Sequence, residues 1–313
     1  MTTRRHFFKQ AAKAGLGAAF VTSNVNATPT ATRPGRALRI AHVTDIHVLD
    51  QPNAKTCLSR VIAEINAMSD KPDFILNTGD SVMDENNQTR ETVQQRWNVW
   101  KTMMAGNEIP MYSALGNHDV WYGPDKALDE EYKKDKRYGK QWAIDMLKMP
   151  GRYYAFETKG WKFIALDSIN GASGYQLDDE QFKWLETQLS VTKLPVCIFN
   201  HVPILAMGPL LFDTKRKPLA DVHFPSGDMH NDHQRIKDLF HAHTGVKLCL
   251  SGHVHYIDEV EYLGVTYMCN GAVSGNWWGN PIVLDEFPPV YSIIDLYQDG
   301  TVERALKFYN YTV

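Results

Sequence analysis

An α/β layered domain is the fold class that this 313-residue sequence predicts. Two observations carry the prediction. Apolar runs of strand length alternate along the chain with longer amphipathic segments of helical period, the pattern of sheets covered by helices. The last part of the chain then turns to a run of strand-like segments, which predicts a second, more antiparallel sheet. The composition is 43% hydrophobic and 22% charged, ordinary for a globular protein and sufficient for one large core. The formal net charge of −3 offers no basic surplus, so a nucleic-acid polymer is not an expected partner. An anionic substrate must then be attracted by local positive charge, which a pair of metal ions could supply.

The elements follow in order. Leu38 to Val43 reads as a buried strand, and Ala54 to Met68 as a helix with Leu58, Val61, Ile62 and Ile65 on one face. Asp73 to Asn77 is the next strand, Glu91 to Met104 a helix carrying Val93, Trp97 and Trp100, and Met111 to Leu115 a strand. A charged insertion, Pro124 to Gly139, precedes a helix-like segment around Trp142 to Leu147. Tyr153 to Glu157 and Lys162 to Asp167 read as a hairpin, and Asp178 to Leu189 as a helix with Phe182, Leu185 and Leu189. Val196 to Asn200 and Val246 to Leu250 are short buried strands. Between them lie a long stretch, Pro203 to Asn231, and a helix around Asp232 to His243. Glu259 to Tyr262, Thr266 to Cys269, Tyr291 to Leu296 and Thr301 to Phe308 are the closing strands. No linker interrupts residues 37–313, which read as one domain.

Residues 1–36 read as a separate signal peptide and linker. Thr3-Arg4-Arg5-His6-Phe7-Phe8-Lys9, followed by the weakly apolar run Ala11 to Val21, resembles a twin-arginine export signal, with Phe8 where Leu is usual. Val25-Asn26-Ala27 is a candidate cleavage site, and the Thr/Pro-rich stretch to Arg36 a linker. The resemblance implies the twin-arginine export machinery as a partner and a periplasmic or otherwise exported location. The apolar run is too short to span a membrane, Lys13 interrupts it, and no later segment reaches spanning length. Cys57, Cys197, Cys249 and Cys269 form no Cys-x-x-Cys pair, which argues against a thiolate zinc site, and free thiols are expected.

Five short polar clusters follow strand candidates or sit at their ends. They are Asp45-Ile46-His47, Gly79-Asp80, Gly116-Asn117-His118-Asp119, Asn200-His201 and Gly252-His253-Val254-His255. Ligands of an open α/β sheet bind beyond the carboxyl ends of its strands, so the five clusters are expected to converge on one edge. Carboxylate, imidazole and amide oxygen are donors for divalent cations of hard or borderline character. Asp-x-His and His-x-His place two donors on alternate residues, where an extended or turning backbone can aim both at one ion. Gly79, Gly116 and Gly252 permit sharp turns and close approach.

This ordered set resembles the calcineurin-like metallophosphoesterase family, whose pattern is Asp-x-His, Gly-Asp, Gly-Asn-His-Asp/Glu, a lone His, then Gly-His-x-His. All five parts occur in order across residues 45–255. The resemblance implies a four-layer α/β/β/α sandwich and two divalent or trivalent metal ions, with manganese, iron and zinc all open. One metal would take Asp45, His47 and His255, the other Asn117, His201 and His253, and Asp80 would bridge them. It further implies hydrolysis of a small phosphoester, mono- or diester, by a metal-bridging hydroxide, with His118 as acid to the leaving group. The sequence departs from the family at one point. The Asp that often follows the bridging Asp by three residues, and orients the catalytic His, is Met83 here, and Asp84 comes one residue later. Asp84 is carried as the candidate orienting residue.

The remaining histidines and aromatics have plainer readings. His241 and His243 lie on a helix where i and i+2 point apart, so they read as surface or structural. His42 reads as a packed core residue, and Asp167 as structural. His223, His230 and His233, in or beside the 203–231 stretch, either shape a pocket or only support it. Trp277 and Trp278 either cap the core or wall the pocket and stack on an organic group. The rival to an enzyme is a non-enzymatic metal-binding scaffold of the same fold, against which the full set of ligand positions argues.

Overall fold

The computed structural model describes residues 35–123, 129–170, 174–214, 218–221, 227–279 and 287–310. The export-signal reading of residues 1–34, His223 and parts of the two long connections lie outside the described residues. The described strands are β1 (Arg36–Val43), β2 (Phe74–Asn77), β3 (Met111–Ser113), β4 (Tyr154–Thr158), β5 (Trp161–Ala165), β6 (Val196–Phe199), β7 (Val246–Ser251), β8 (Ile257–Tyr262), β9 (Val265–Asn270), β10 (Val290–Tyr297) and β11 (Val302–Phe308). The helices are α1 (Pro52–Ala67), α2 (Arg90–Met104), α3 (Asp129–Tyr132), α4 (Gln141–Met146), α5 (Asp179–Ser190), α6 (Gly208–Thr214) and α7 (His233–Ala242).

Two mixed sheets result. One has the order β11-β10-β1-β2-β3 and the other β4-β5-β6-β7-β9-β8. The central strands β1-β2-β3 and β5-β6-β7-β9 are parallel, with antiparallel partners outside them. The expected separate antiparallel sheet of late strands does not form. β8 and β9 extend the second sheet, while β10 crosses back to pair with β1 in the first and β11 pairs with β10 at its edge. The reason is burial: β10 is apolar on both faces, from Val290 to Leu296, and only an internal position with a layer on each side buries both. β1 also begins at Arg36, two residues before the expected start, because Arg36 is already paired with Tyr297 of β10.

Alternation along the strands sorts side chains into layers. Phe163, Ala165, Cys197, Phe199, Leu248 and Leu250 join the first sheet in one large core that also takes in α1 and α2. Their neighbours Ile164, Leu166, Val196, Ile198 and Cys249 face α5 and α7 in a second core. The layer order is therefore α/β/β/α. Helix starts are local. Thr89 caps α2 by accepting from Thr92 N, and Asp178 caps α5 by accepting from Gln181 N. α1 begins with Pro52 in its first turn.

Between the sheets sits His42, fully buried. Asn270 Nδ2 donates to its Nδ1 at 2.6 Å, so the ring proton is on Nε2, 2.9 Å from Thr78 Oγ1. Burial pushes its pKa down to about 3, so the ring is neutral. All four cysteines are buried and outside any disulfide. No helix among the described residues is long and apolar enough to cross a membrane.

Candidate metal centre

The parallel strands of both sheets deliver their carboxyl ends to one place. Asp45 and His47 follow β1, Asp80 follows β2, Asn117 follows β3, His201 follows β6, and His253 and His255 follow β7. The connecting loops bond to one another rather than to water. Asp45 N donates to Gly79 O, His47 N to Asp80 O, and Gly252 N to His201 O. Their backbone is unusual. Asp45, His47, Asp80, His253 and His255 all have φ between 45° and 70°, the left-handed region that side chains other than glycine avoid. Strain of this kind persists only where surrounding bonds over-determine it, and it concentrates at functional sites.

The seven side chains proposed as ligands from sequence are brought together in two groups. In the first, His255 Nε2 lies 3.2 Å from His47 Nε2 and 3.3 Å from Asp45 Oδ1. In the second, His201 Nε2 lies 3.1 Å from Asp80 Oδ2, 3.0 Å from Asn117 Oδ1 and 3.3 Å from His253 Nδ1. Asp80 Oδ2 is also 3.6 Å from His47 Nε2, so one carboxylate stands between the groups. Asp45, His47, Asp80, His201 and His255 are buried and His253 is partly so.

Carbonyl groups behind the rings decide what these atoms offer. A carbonyl only accepts, so the imidazole nitrogen facing it carries the proton. His255 Nδ1 faces Gly275 O at 2.8 Å, His201 Nδ1 faces Thr78 O at 2.9 Å, and His253 Nε2 faces Gly227 O at 2.6 Å. In the neutral rings the other nitrogen then turns its lone pair inward, toward carboxylate and amide oxygens that are themselves acceptors. A buried cluster of acceptors needs positive charge at its centre, and nitrogen–oxygen donor sets of this kind fit zinc, manganese or iron. In the absence of metal, protons answer the same demand. Burial opposes charge on His201, yet Asp80 and Asp45 outweigh it and raise its pKa to about 9. Burial likewise opposes charge on Asp45 and Asp80, but His255 for the first and His201 for the second hold both below the usual carboxylate range.

His118 and Asp84 meet at the edge of the second group. His118 Nδ1 is 3.3 Å from Asp84 Oδ1, within ion-pair reach, although the ring is not turned into a well-aligned hydrogen bond. Its Nε2 points the other way, 3.9 Å from Asp80 Oδ2. The one-residue displacement from the family pattern is absorbed by the backbone, since Asp84 takes a φ of 35°. Burial works against charge on His118, but Asp84 and Asp80 outweigh it and raise its pKa.

Sequence reasoning missed the parts that hold these residues. Asp119 clamps two ligand loops at once: its Oδ1 accepts from Ser81 N at 2.8 Å and its Oδ2 from Gly116 N at 3.0 Å. Burial, with Asp80 nearby, pushes its pKa up. In return, Glu85 N donates to His118 O and Asn86 Nδ2 to Asn117 O, so residues 84–86 grip the Asn117-His118 turn. Ser274 fixes the first loop through two bonds to Asp45 O. The position of Asp119 inside the Gly-Asn-His-Asp motif was a signal that could have been read; Asn86 and Ser274 carry none. The tryptophan pair divides the two readings offered for it. Trp278 is buried, with Nε1 donating to Ile46 O and His47 O, whereas Trp277 is 42% exposed over the histidines.

The other histidines lie apart from the ligand groups. His230 is buried in a network with Ser168 and Asp232 that anchors the segment leading from Gly227. His233 Nδ1 bonds to His230 O, and His241 is exposed on α7 with His243 at its end. Asp167 is a buried ion-pair partner of Lys140 and Arg152.

Known proteins resemble the chain in sequence and in fold. A probable glycerophosphodiester phosphodiesterase from Arcobacter nitrofigilis is 24% identical over 86% of this chain and 85% of its own. A probable cyclic nucleotide phosphodiesterase from a Synechococcus species is 24% identical over 84% of this chain and 89% of its own. The solved structure of a dimetal phosphatase from Danio rerio shares the fold, with a TM-score of 0.61 at 11% identity, covering 89% of this chain and 98% of its own. Residues 38–256, which include all seven candidate metal ligands, match the calcineurin-like phosphoesterase family, and to that family the chain belongs.

Proposed function

We propose that the protein hydrolyses phosphoesters with two metal ions, one on Asp45, His47 and His255, the other on Asn117, His201 and His253, with Asp80 shared. The observation that carries this reading is the Asp80 carboxylate, 3.1 Å from His201 and 3.6 Å from His47. When bound, such a pair of ions supplies an activated water at neutral pH and neutralises charge on the phosphoryl oxygens. The chain's own residues do the rest. The carbonyls of Thr78, Gly227 and Gly275 hold the imidazoles in one tautomer and orientation. His118, whose protonated form Asp84 and Asp80 favour, gives the Nε2 proton to the leaving-group oxygen, and Asp84 orients the ring from Nδ1. The two relatives named as phosphodiesterases favour a diester over a monoester.

The test is hydrolysis of bis-p-nitrophenyl phosphate and p-nitrophenyl phosphate by chelated protein reloaded with manganese, zinc or iron. Turnover restored by metal, with the diester preferred, is expected. No turnover with any metal would favour the scaffold instead. We also propose export by the twin-arginine route, on the strength of Thr3-Arg4-Arg5-His6-Phe7-Phe8-Lys9. Replacing Arg4 and Arg5 by Lys should then keep the protein inside the cell, and unaltered secretion of that variant would refute the route.

A further inference from the structure

Beside His118 stands an aromatic ring that the hydrolytic reading does not use. Trp277 is 42% exposed, while its neighbour Trp278 is 3% exposed. Both have φ near +60°, 55° and 59°, a conformation that bulky residues rarely adopt. The pair is held there from behind. Trp278 Nε1 bonds to the Ile46 and His47 carbonyls, Asn53 Nδ2 donates to Trp278 O, and Trp278 N donates to Ser274 O. The outcome of that strain is the placement of one indole. Its ring lies 4.0 Å from the His47 ring and 5.0 Å from the His255 ring at tilts of 34° and 30°, and 5.1 Å from the His118 ring at 70°. One side is thus committed to the first donor group, and the residue, still 42% exposed, stands beside the ring that would protonate the leaving oxygen.

We infer that Trp277 selects the alcohol half of the substrate, by stacking on a flat aromatic ring carried by the leaving group. The inference rests on the phosphoesterase reading and on His118 as the acid, because those fix which half of the ester lies beside Trp277. Any indole covering His47 would exclude water, but a covering role alone does not require a residue left 42% exposed with its ring 5.1 Å from that of His118. Offset aromatic stacking adds to apolar contact, so the substrate class is a phosphoester of an aryl alcohol or of a nucleoside. An aryl ring is bonded directly to the leaving oxygen, whereas a nucleobase is set back from it by the sugar.

Non-hydrolysable phosphonates test this without requiring turnover. Binding to the metal-loaded protein is measured by calorimetry for benzylphosphonate against n-pentylphosphonate, and for the 5′-methylenephosphonate of adenosine against that of ribose. In the wild type at least one aromatic member should bind about tenfold tighter than its partner. The benzyl pair reports an aryl alcohol and the adenosine pair a nucleoside. In Trp277→Leu, which keeps an apolar cover over His47, that ratio should collapse toward one, and Trp277→Phe should restore most of it. Metal content and circular dichroism are read on both variants. A wild-type ratio near one in both pairs, or a ratio that survives Trp277→Leu, overturns the inference. Loss of turnover with every metal, by contrast, removes the phosphoesterase reading and not the measured preference.

Discussion

Adding one methyl group at Gly116 should disable the site without touching a donor atom. Gly116 has a φ of −96°, which alanine adopts freely, so the substitution carries no backbone penalty. Space is the difficulty. A Cβ there would stand 2.8 Å from Asp80 Cγ and closer still to Asp80 N and Oδ1, whereas real Cβ contacts essentially never fall under 3.0 Å. The obstacle is backbone and a carboxylate rather than the tip of a flexible chain. The Asp80 loop or the Gly116 turn must therefore give way by about 1 Å, a displacement that in an active site costs about 10²-fold in rate. Asp80 cannot move alone, since its Oδ1 accepts from His118 N at 2.8 Å, so the proposed acid shifts with the shared carboxylate. Overpacking of this kind costs about 1–3 kcal/mol in stability, which the two sandwich cores can bear. The assay is kcat/KM on bis-p-nitrophenyl phosphate, with metal stoichiometry by plasma mass spectrometry and Tm by circular dichroism. Gly106→Ala serves as the control, because nothing lies within 4 Å of a Cβ at that position. The expected result is a folded Gly116→Ala protein with about 10²-fold lower kcat/KM and less than two bound metals. If it keeps two metals and a kcat/KM within about threefold of wild type, Asp80 is not the pivot proposed here.

Three further outcomes follow from the same structure. Asp84 helps raise the His118 pKa, and an acid must be protonated to act, so kcat should fall as pH rises through that pKa. Asp84→Asn should move this alkaline limb of the kcat profile to lower pH by about one unit, and an unmoved limb would exclude Asp84 as the partner. His42 has a folded pKa of about 3 against an unfolded value near 6.5, so the unfolded chain binds the extra proton. Its contribution is present above about pH 6.5 and is lost as pH falls toward 3, up to about 5 kcal/mol. Denaturant midpoints of metal-free protein between those pH values should show that acid slope, and His42→Gln should flatten it. Chelation should lower Tm by about 5 °C or more, since ligands present at about 100 times their Kd stabilise by about 2.7 kcal/mol. A scanning calorimetry trace indifferent to chelator would count against tight metal binding.

What the sequence disclosed, and what it withheld, divides along physical lines. The strands and helices were legible because each is an apolar run with a period of its own. The hairpin of β4 and β5 was legible to within two residues at each end, and Leu58, Val61, Ile62 and Ile65 on the face of α1 are buried as read. The ligands were legible because every one lies within four residues of a strand's carboxyl end, so local order places them at a sheet edge. The assignment of late strands failed because pairing is a tertiary choice. Nothing in Val290–Tyr297 says that its partner is β1, some 250 residues earlier, rather than β9. The contact of Asp84 with His118 could be named only as a candidate, since it depends on a φ of 35° at a residue other than glycine. The carbonyls that fix the imidazoles were also hidden, because a backbone oxygen leaves no trace in residue identity. Gly227 and Gly275 look in sequence like ordinary turn residues, yet their oxygens set which nitrogen faces the site.

The same loops show where this fold spends its stability. Among the described residues, twelve other than glycine have positive φ, and eight of them are Asp45, His47, Asp80, Asp84, His253, His255, Trp277 and Trp278. Left-handed backbone costs about 1–2 kcal/mol at a residue with a Cβ, so the five ligands alone carry strain comparable to the whole net stability of an ordinary domain, about 5–15 kcal/mol. Loops that strained would relax if each stood alone. They hold because every one is tied to its neighbour: Asp45 N to Gly79 O, His47 N to Asp80 O, Val48 N to Ser81 O, Val273 N to Thr44 O. Beneath them the two cores supply a rigid base on both sides of each sheet. Strain here is therefore not a defect that selection has overlooked. An extended chain keeps donors two residues apart on one face, pointing the same way; the left-handed turns redirect them, so that Asp45 and His47 converge on one group, with Oδ1 and Nε2 3.9 Å apart, while His253 and His255 part to the two groups. The left-handed turns are the means by which two strand ends each deliver paired donors to adjoining positions, and the interlocked loops are what keeps those turns from relaxing.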